Sequence, residues 1–159
     1  MTSPIDPTVR AGRTLRALTT ASQIYTQHAR VDLAMPRSDL AALGLLSQAE
    51  SEGHPMTAGE LSQRLGLTAS ATTALLDRLQ QVGHLRRTRD PADGRRVIVE
   101  MTASAHEAGQ RAFRPLMRSV SRELAAFTAQ QLADATAVME AMLRVVDTAI
   151  SELGADGRR

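Results

Sequence analysis

The chain has 159 residues, of which 43% are apolar, and a formal net charge of +2 with a pI near 10.3. That is the size of one domain with enough apolar content for a core. It contains no Cys and no Lys, so all 19 positive side chains are Arg. Thiolate metal sites, disulfides, thiol nucleophiles, Walker-type phosphate loops and Schiff-base lysines are thereby excluded. With no Lys to lose its charge, a high pI says little about a polyanionic partner. The placement of charge says more.

From Val9 to about Leu33 the chain reads as a helix, with Leu15, Leu18, Ser22 and Tyr25 on one stripe. Met35-Pro36 ends it, because a residue before Pro avoids the α region. Ser38 is then expected to cap a second helix, with Asp39 favourable in its first turn and Leu40, Leu43 and Leu46 or Ala49 on its buried face. Gly53-His54-Pro55 stops that helix. Thr57 and Glu60 form a capping box that opens a short helix ending at Gly66. Thr68 caps the next, which runs to about Val82. Two helices joined by a tight Gly-containing turn match a helix-turn-helix.

A different grammar follows. Residues 86–96 carry five Arg around an Asp90-Pro91-Ala92-Asp93-Gly94 turn, which predicts a β-hairpin with a charged tip. On its second strand Val97, Val99 and Met101 alternate with Arg96, Ile98 and Glu100, so one face is expected to be buried. Thr102 caps a long helix to about Phe127, which Pro115 is expected to kink or break. Thr128 and Gln131 form a second capping box. Beyond it Leu132, Thr136, Met139, Leu143, Val146, Ile150 and Leu153 recur at steps of 4 and 3, a heptad seam. Gly154 is expected to end this last helix. No basic leader precedes an apolar run, and the longest stretch without Asp, Glu or Arg, 17–29, is polar and too short for a membrane span. A cytoplasmic protein is expected.

The helix-turn-helix with a basic hairpin is the main functional signal. A helix end fits the major groove, where base edges are distinguishable. Thr68, Ser70 and Thr73 place short polar groups at the start of the second helix, while Leu75, Leu76 and Leu79 face the core. Arg86, Arg87, Arg89, Arg95 and Arg96 are the candidate DNA contacts of the hairpin, whose tip can enter a narrow minor groove. Asp93 would repel phosphate unless it pairs with Arg95 and orients it. An arginine-rich hairpin can equally be a solvated edge that blocks strand pairing. Its position behind a helix-turn-helix favours DNA. No catalytic constellation occurs: His28, His54, His84 and His106 are not at metal-ligand spacing, and the Glu107 that follows His106 lacks the second His of a zinc-hydrolase helix. No enzyme, no cofactor and no metal are implied.

From about Ser38 to Thr102 the chain resembles the MarR family of bacterial transcriptional regulators. The resemblance is carried by Leu61 to Leu67, by Thr72 to Leu79, by Gly83, and by Asp90-Pro91-Ala92-Asp93-Gly94-Arg95-Arg96 ahead of Val97, Val99, Met101 and Thr102. It implies a mainly α fold with a small β-hairpin wing: a winged helix-turn-helix with N- and C-terminal dimerisation helices. The expected plan is a single domain over 1–159, with a DNA-binding lobe at 38–102 and dimerisation helices at 8–34 and 103–153. It also implies a homodimer on palindromic operators, acting as a repressor released by a small lipophilic or phenolic ligand. Ala74 departs from the pattern, since Arg is frequent there, and leans base readout on Thr73 and the wing. Leu15, Leu18, Leu132, Met139, Leu143, Val146 and Ile150 are the candidate dimerisation residues. Tyr25, His28 and Met35 are candidates for a ligand pocket and, alternatively, for simple packing. The competing reading is a winged-helix protein-interaction module without DNA binding.

Overall fold

The computed structural model describes residues 6–90, 93–94 and 96–156. Helix α1 (Pro7–Asp32) starts earlier than the sequence predicts. Asp6 is its cap, with Oδ1 accepting from the Thr8 N–H at 2.7 Å, and Pro7 takes the first-turn position where a missing N–H costs nothing. The helix closes at Leu33, and Ala34 turns the chain with a φ of +50°. Helix α2 (Arg37–Ser51) follows, but Ser38 does not cap it. Pro36 holds the cap position, which makes no side-chain hydrogen bond, and the Ser38 hydroxyl donates to Asp39 instead.

The capping box is formed as expected. The Thr57 hydroxyl accepts from the Glu60 N–H at 3.2 Å, and the Glu60 carboxylate accepts from the Thr57 N–H at 2.7 Å, opening α3 (Ala58–Leu65). Gly66 ends α3 in the left-handed region, φ +64°, where a Cβ would be strained. Thr68 then caps α4 (Ala69–Gln81) through the Ala71 N–H.

The wing has more strands than a hairpin. Strand β1 (Met56–Thr57) precedes α3, and β2 (Leu85–Arg89) and β3 (Val97–Met101) follow α4. Their order is β1-β3-β2, antiparallel, with Met56 opposite Val99 and Leu85 opposite Met101. β1 is too short for any periodicity to show, so the sequence does not announce it. Its presence makes β3 the central strand. Ile98, lying between Thr57 and Thr88, is therefore buried along with Val99, whereas Val97 is exposed, contrary to the simple alternation.

The core of this lobe joins Leu40, Leu43 and Leu46 of α2, Leu61 of α3, Leu75, Leu76 and Leu79 of α4, and Leu85 and Val99 of the sheet. Helix α5 (Ala103–Leu124), capped by Thr102, closes one side with Ala105. It runs through Pro115 without a break, although the Arg111 carbonyl loses the N–H it would otherwise accept from. Thr128 and Gln131 make the second capping box, and α6 (Ala129–Asp156) continues past Gly154 rather than stopping there. Met139, Leu143, Val146 and Ile150 of α6, and Leu15 and Leu18 of α1, all lie exposed. Among the described residues α6 shares no extended interface with another element. No described helix is long and apolar enough to cross a membrane.

Candidate nucleic-acid interface

Helix α4 is two-sided. Thr72, Leu75, Leu76 and Leu79 are buried, while Ala69, Ser70, Thr73, Ala74 and Asp77 are exposed. Several hydroxyls at its start already serve the backbone. Thr68 Oγ1 caps Ala71 and lies 3.1 Å from Ser70 Oγ, and Thr73 Oγ1 donates to the Ala69 carbonyl at 2.9 Å. Each oxygen keeps acceptor capacity for a donor on a base edge, whereas a phosphate, which only accepts, would need a hydroxyl turned to donate to it. Thr68, Ser70 and Thr73 thus lie together on one exposed end of α4, as the sequence suggests.

The wing arginines divide into two groups. Arg86 Nε donates to Glu100 at 2.8 Å across the β2–β3 pair, and half-buried Arg87 donates through Nη2 to Asp77 on α4. Arg96 lies 3.4 Å from Glu60 and 3.9 Å from Asp90. These three neutralise carboxylates of the lobe and brace it. Arg89, at the end of β2, is exposed. Asp93 is exposed and its backbone carbonyl accepts from the Arg96 N–H at 2.9 Å. Arg95 lies outside the described residues, and with it the expected Asp93–Arg95 pairing.

One ion pair goes unread in the sequence. Asp39 is 2% exposed, yet it sits on the same stripe of α2 as Leu43 and Leu46. A buried carboxylate requires a partner. Arg78 of α4 supplies it, with Nε donating to Oδ2 at 2.7 Å and Nη2 donating to Oδ1, while Ser38 Oγ donates to Oδ1 at 3.0 Å. The pairing raises the already high pKa of Arg78, chiefly through these hydrogen bonds. The signal was present as an acid on an apolar stripe and a base between two core leucines.

Between α1, α2 and α5 lies a cavity of about 1330 Å³. His28 and Met35 line it, as do Arg30, Arg37, His106 and Arg114. No Asp or Glu contributes to its wall among the described residues. Tyr25 does not line it. Its hydroxyl donates to the Ala112 carbonyl at 2.8 Å and its ring packs 5.8 Å from Phe113, so it fastens α1 to α5. Arg30, Arg37, His106 and Arg114 escape a sequence reading because they come from three distant segments. No cluster of three His, Asp or Glu side chains could hold a metal among the described residues.

A helix-turn-helix joined to an arginine-bearing sheet, flanked by long helices, defines a winged-helix regulator of transcription. Comparison with known proteins agrees. Residues 35–96 match the sequence pattern of the MarR family. The chain is 34% identical over 117 residues to YcgE, an uncharacterised HTH-type transcriptional regulator of Bacillus subtilis (strain 168), covering 74% of this chain and 73% of that protein. Its fold is similar to that of a mutant of MepR from a multidrug-resistant S. aureus clinical isolate, with a TM-score of 0.69 at 15% identity over 86% of this chain and 96% of the other. It is also similar to apo wild-type MarR from E. coli, with a TM-score of 0.55 at 20% identity over 90% and 99%. The chain belongs to the MarR family of transcriptional regulators.

Proposed function

We propose that the protein binds palindromic double-stranded DNA in the cytoplasm as a homodimer and represses transcription until a small ligand enters the cavity between α1, α2 and α5. One observation carries the DNA-binding reading. The exposed polar end of α4 and the wing are braced to each other by the Arg87–Asp77 pair, so groove-reading and phosphate-gripping groups belong to one rigid lobe. Thr68, Ser70 and Thr73 would face the major groove. Arg89 and Arg95 would reach the flanking minor groove or its phosphates, while Arg86 and Arg96, paired with Glu100 and Glu60, would hold the wing in shape behind them.

The uncovered faces of α1 and α6 support the dimer. A second copy would cover Leu15, Leu18, Met139, Leu143, Val146 and Ile150, which water otherwise wets. Two-fold symmetry then sets the two α4 helices about 34 Å apart, one turn of B-DNA. The cavity suits an amphipathic ligand. Leu40, Leu43 and Phe113 offer apolar walls, while Arg30, Arg37 and Arg114 favour a carboxylate or an acidic phenol.

Fluorescence anisotropy with duplex DNA, titrated at low and moderate salt, tests the reading. The expected result is tight binding whose log–log salt slope falls by about 0.9 per phosphate neutralised. Arg95→Ala should cost about 1–3 kcal/mol of operator affinity if it reads the groove. Salt-insensitive or absent DNA binding would transfer the wing to a protein partner. Footprinting upstream of the protein's own coding region then locates the operator.

A further inference from the structure

The inward side of α4 is held by two kinds of contact. Leu75, Leu76 and Leu79 fill the core and by close packing select the inward face of the helix. The fork between Arg78 and Asp39 is directional, because two parallel N–H···O bonds must both be satisfied. Asp39 is in turn immobile, being buried in the first turn of α2 and held by Ser38. The residue beside Arg78, Asp77, faces the other way and receives Arg87 from β2. Arg87 stands opposite Val99 on the central strand, two residues before Arg89 at the exposed end of the wing. Adjacent residues of α4 therefore clasp α2 on one side and the wing on the other.

From this arrangement we propose that Asp39 is a positioning residue for DNA reading: through Arg78 it fixes the rotation and slide of α4, and through the Asp77–Arg87 pair that setting passes to the wing. The proposal rests on the DNA-binding function argued above. Asp39 itself touches no DNA. Its effect is to keep the reading helix and the wing in one register, so that both meet the duplex together.

A double-mutant cycle tests it, using a duplex selected by the wild-type protein from a random pool. Asp39→Asn keeps the shape and removes the charge, and it is expected to weaken binding about tenfold or more. Asp77→Asn is expected to weaken binding severalfold in the wild-type background. In the Asp39→Asn background it is expected to cost little, because the wing is then clasped to a helix already out of place. Multiplicative effects of the two substitutions would overturn the proposal. A second comparison separates positioning from stability. Asp39→Leu combined with Arg78→Met replaces the pair by apolar groups and should recover the urea midpoint while DNA affinity stays low. Recovery of both together would make the pair a stabilising contact only, and would also overturn the proposal. Should Asp39→Asn fail to fold, Arg78→Lys keeps the charge, loses the fork, and stands in its place in the cycle. A wild-type protein that binds no duplex removes the DNA reading and this proposal with it, whereas a bound duplex with independent effects removes this proposal alone.

Discussion

The lobe between Met35 and Met101 and the long helices that flank it are built from the same side chains in opposite conditions. Leu61 and Leu75 in the lobe are 0% and 2% exposed, whereas Leu18 of α1 and Leu143 of α6 are each 59% exposed. Both regions have regular helices, so local structure does not separate them. Tertiary closure does. The lobe wraps three helices and a sheet around one core and ties its edges with ion pairs such as Arg78–Asp39, Arg87–Asp77 and Arg86–Glu100. The flanking helices present apolar stripes that their own chain leaves uncovered. At roughly 25 cal/mol per Å² of apolar surface, covering those stripes is a large reserve of stability. The lobe can be complete in one copy; in the proposed dimer the flanking helices would find completion in a second.

That contrast can be broken at two leucines. Leu61→Ala should cost about 2–5 kcal/mol, because it leaves a cavity in a closed core. The loss, read as a shift in urea midpoint, should be the same at every protein concentration. Leu143→Ala should cost less, about 1–2 kcal/mol for each copy, and only in the dimer. Sedimentation should show a weaker dimer, and the stability deficit should depend on concentration. An equal, concentration-independent loss at Leu143 would place α6 against its own lobe and undo the proposed dimer.

How much of this was legible in the residues follows the same division. Most local punctuation was readable: Thr57 and Glu60, Gly66, Thr68, Thr102, and Thr128 with Gln131 all act as expected, whereas Ser38 does not cap α2 and Gly154 does not end α6. Features that need a distant partner were not. β1 exists only because Met56 and Thr57 find β3, some forty residues on in the register Met56–Val99. That pairing buries Ile98 and defeats the alternation rule. Pro115 reads as a kink or a local break, and the helix continues through it without a break. In the candidate site, the position of Thr68, Ser70 and Thr73 follows from helical periodicity alone. The engagement of Arg86, Arg87 and Arg96 with Glu100, Asp77 and Glu60 does not, since a run of arginines looks uniform until the fold brings specific carboxylates to it.

A smaller effect distinguishes the lobe's polar fastenings from its core. Thr57→Ala removes one half of the capping box and should cost about 1 kcal/mol in urea unfolding. Its partner makes the effect pH-dependent. The Glu60 carboxyl is held below the ordinary glutamate range, first by the Thr57 N–H and next by the Thr57 hydroxyl, with the charge of Arg96 adding to them against the effect of burial. A carboxyl whose pKa is lowered in the folded state stabilises fully above its unfolded value, near pH 4.3, and less as pH falls through the lowered folded value. The difference in urea midpoint between wild type and Glu60→Gln should therefore be constant near neutrality and shrink in acid. A difference that grows in acid would mean that the box is not the source of the shift.

The smallest expected effect lies where the two regions meet. Ala34 joins α1 to the lobe with a φ of +50°, a left-handed conformation that crowds a Cβ. The turn is imposed from both sides: the Ala34 N–H donates to the Val31 carbonyl and the Met35 N–H to the Arg30 carbonyl, each at 3.0 Å. Met35 is buried in the lobe core, so the chain cannot relax without withdrawing it. Ala34→Gly removes the steric cost, on the order of 1 kcal/mol, but gives the unfolded chain more freedom, which offsets part of the gain. A net stabilisation of about 0.5 kcal/mol follows, measurable as a small rise in urea midpoint. Because the gain arises in the backbone of the joint, it should persist in Leu143→Ala, where the dimer is weakened. A gain that vanishes with the dimer would show that the joint is set by the second copy rather than by the chain itself.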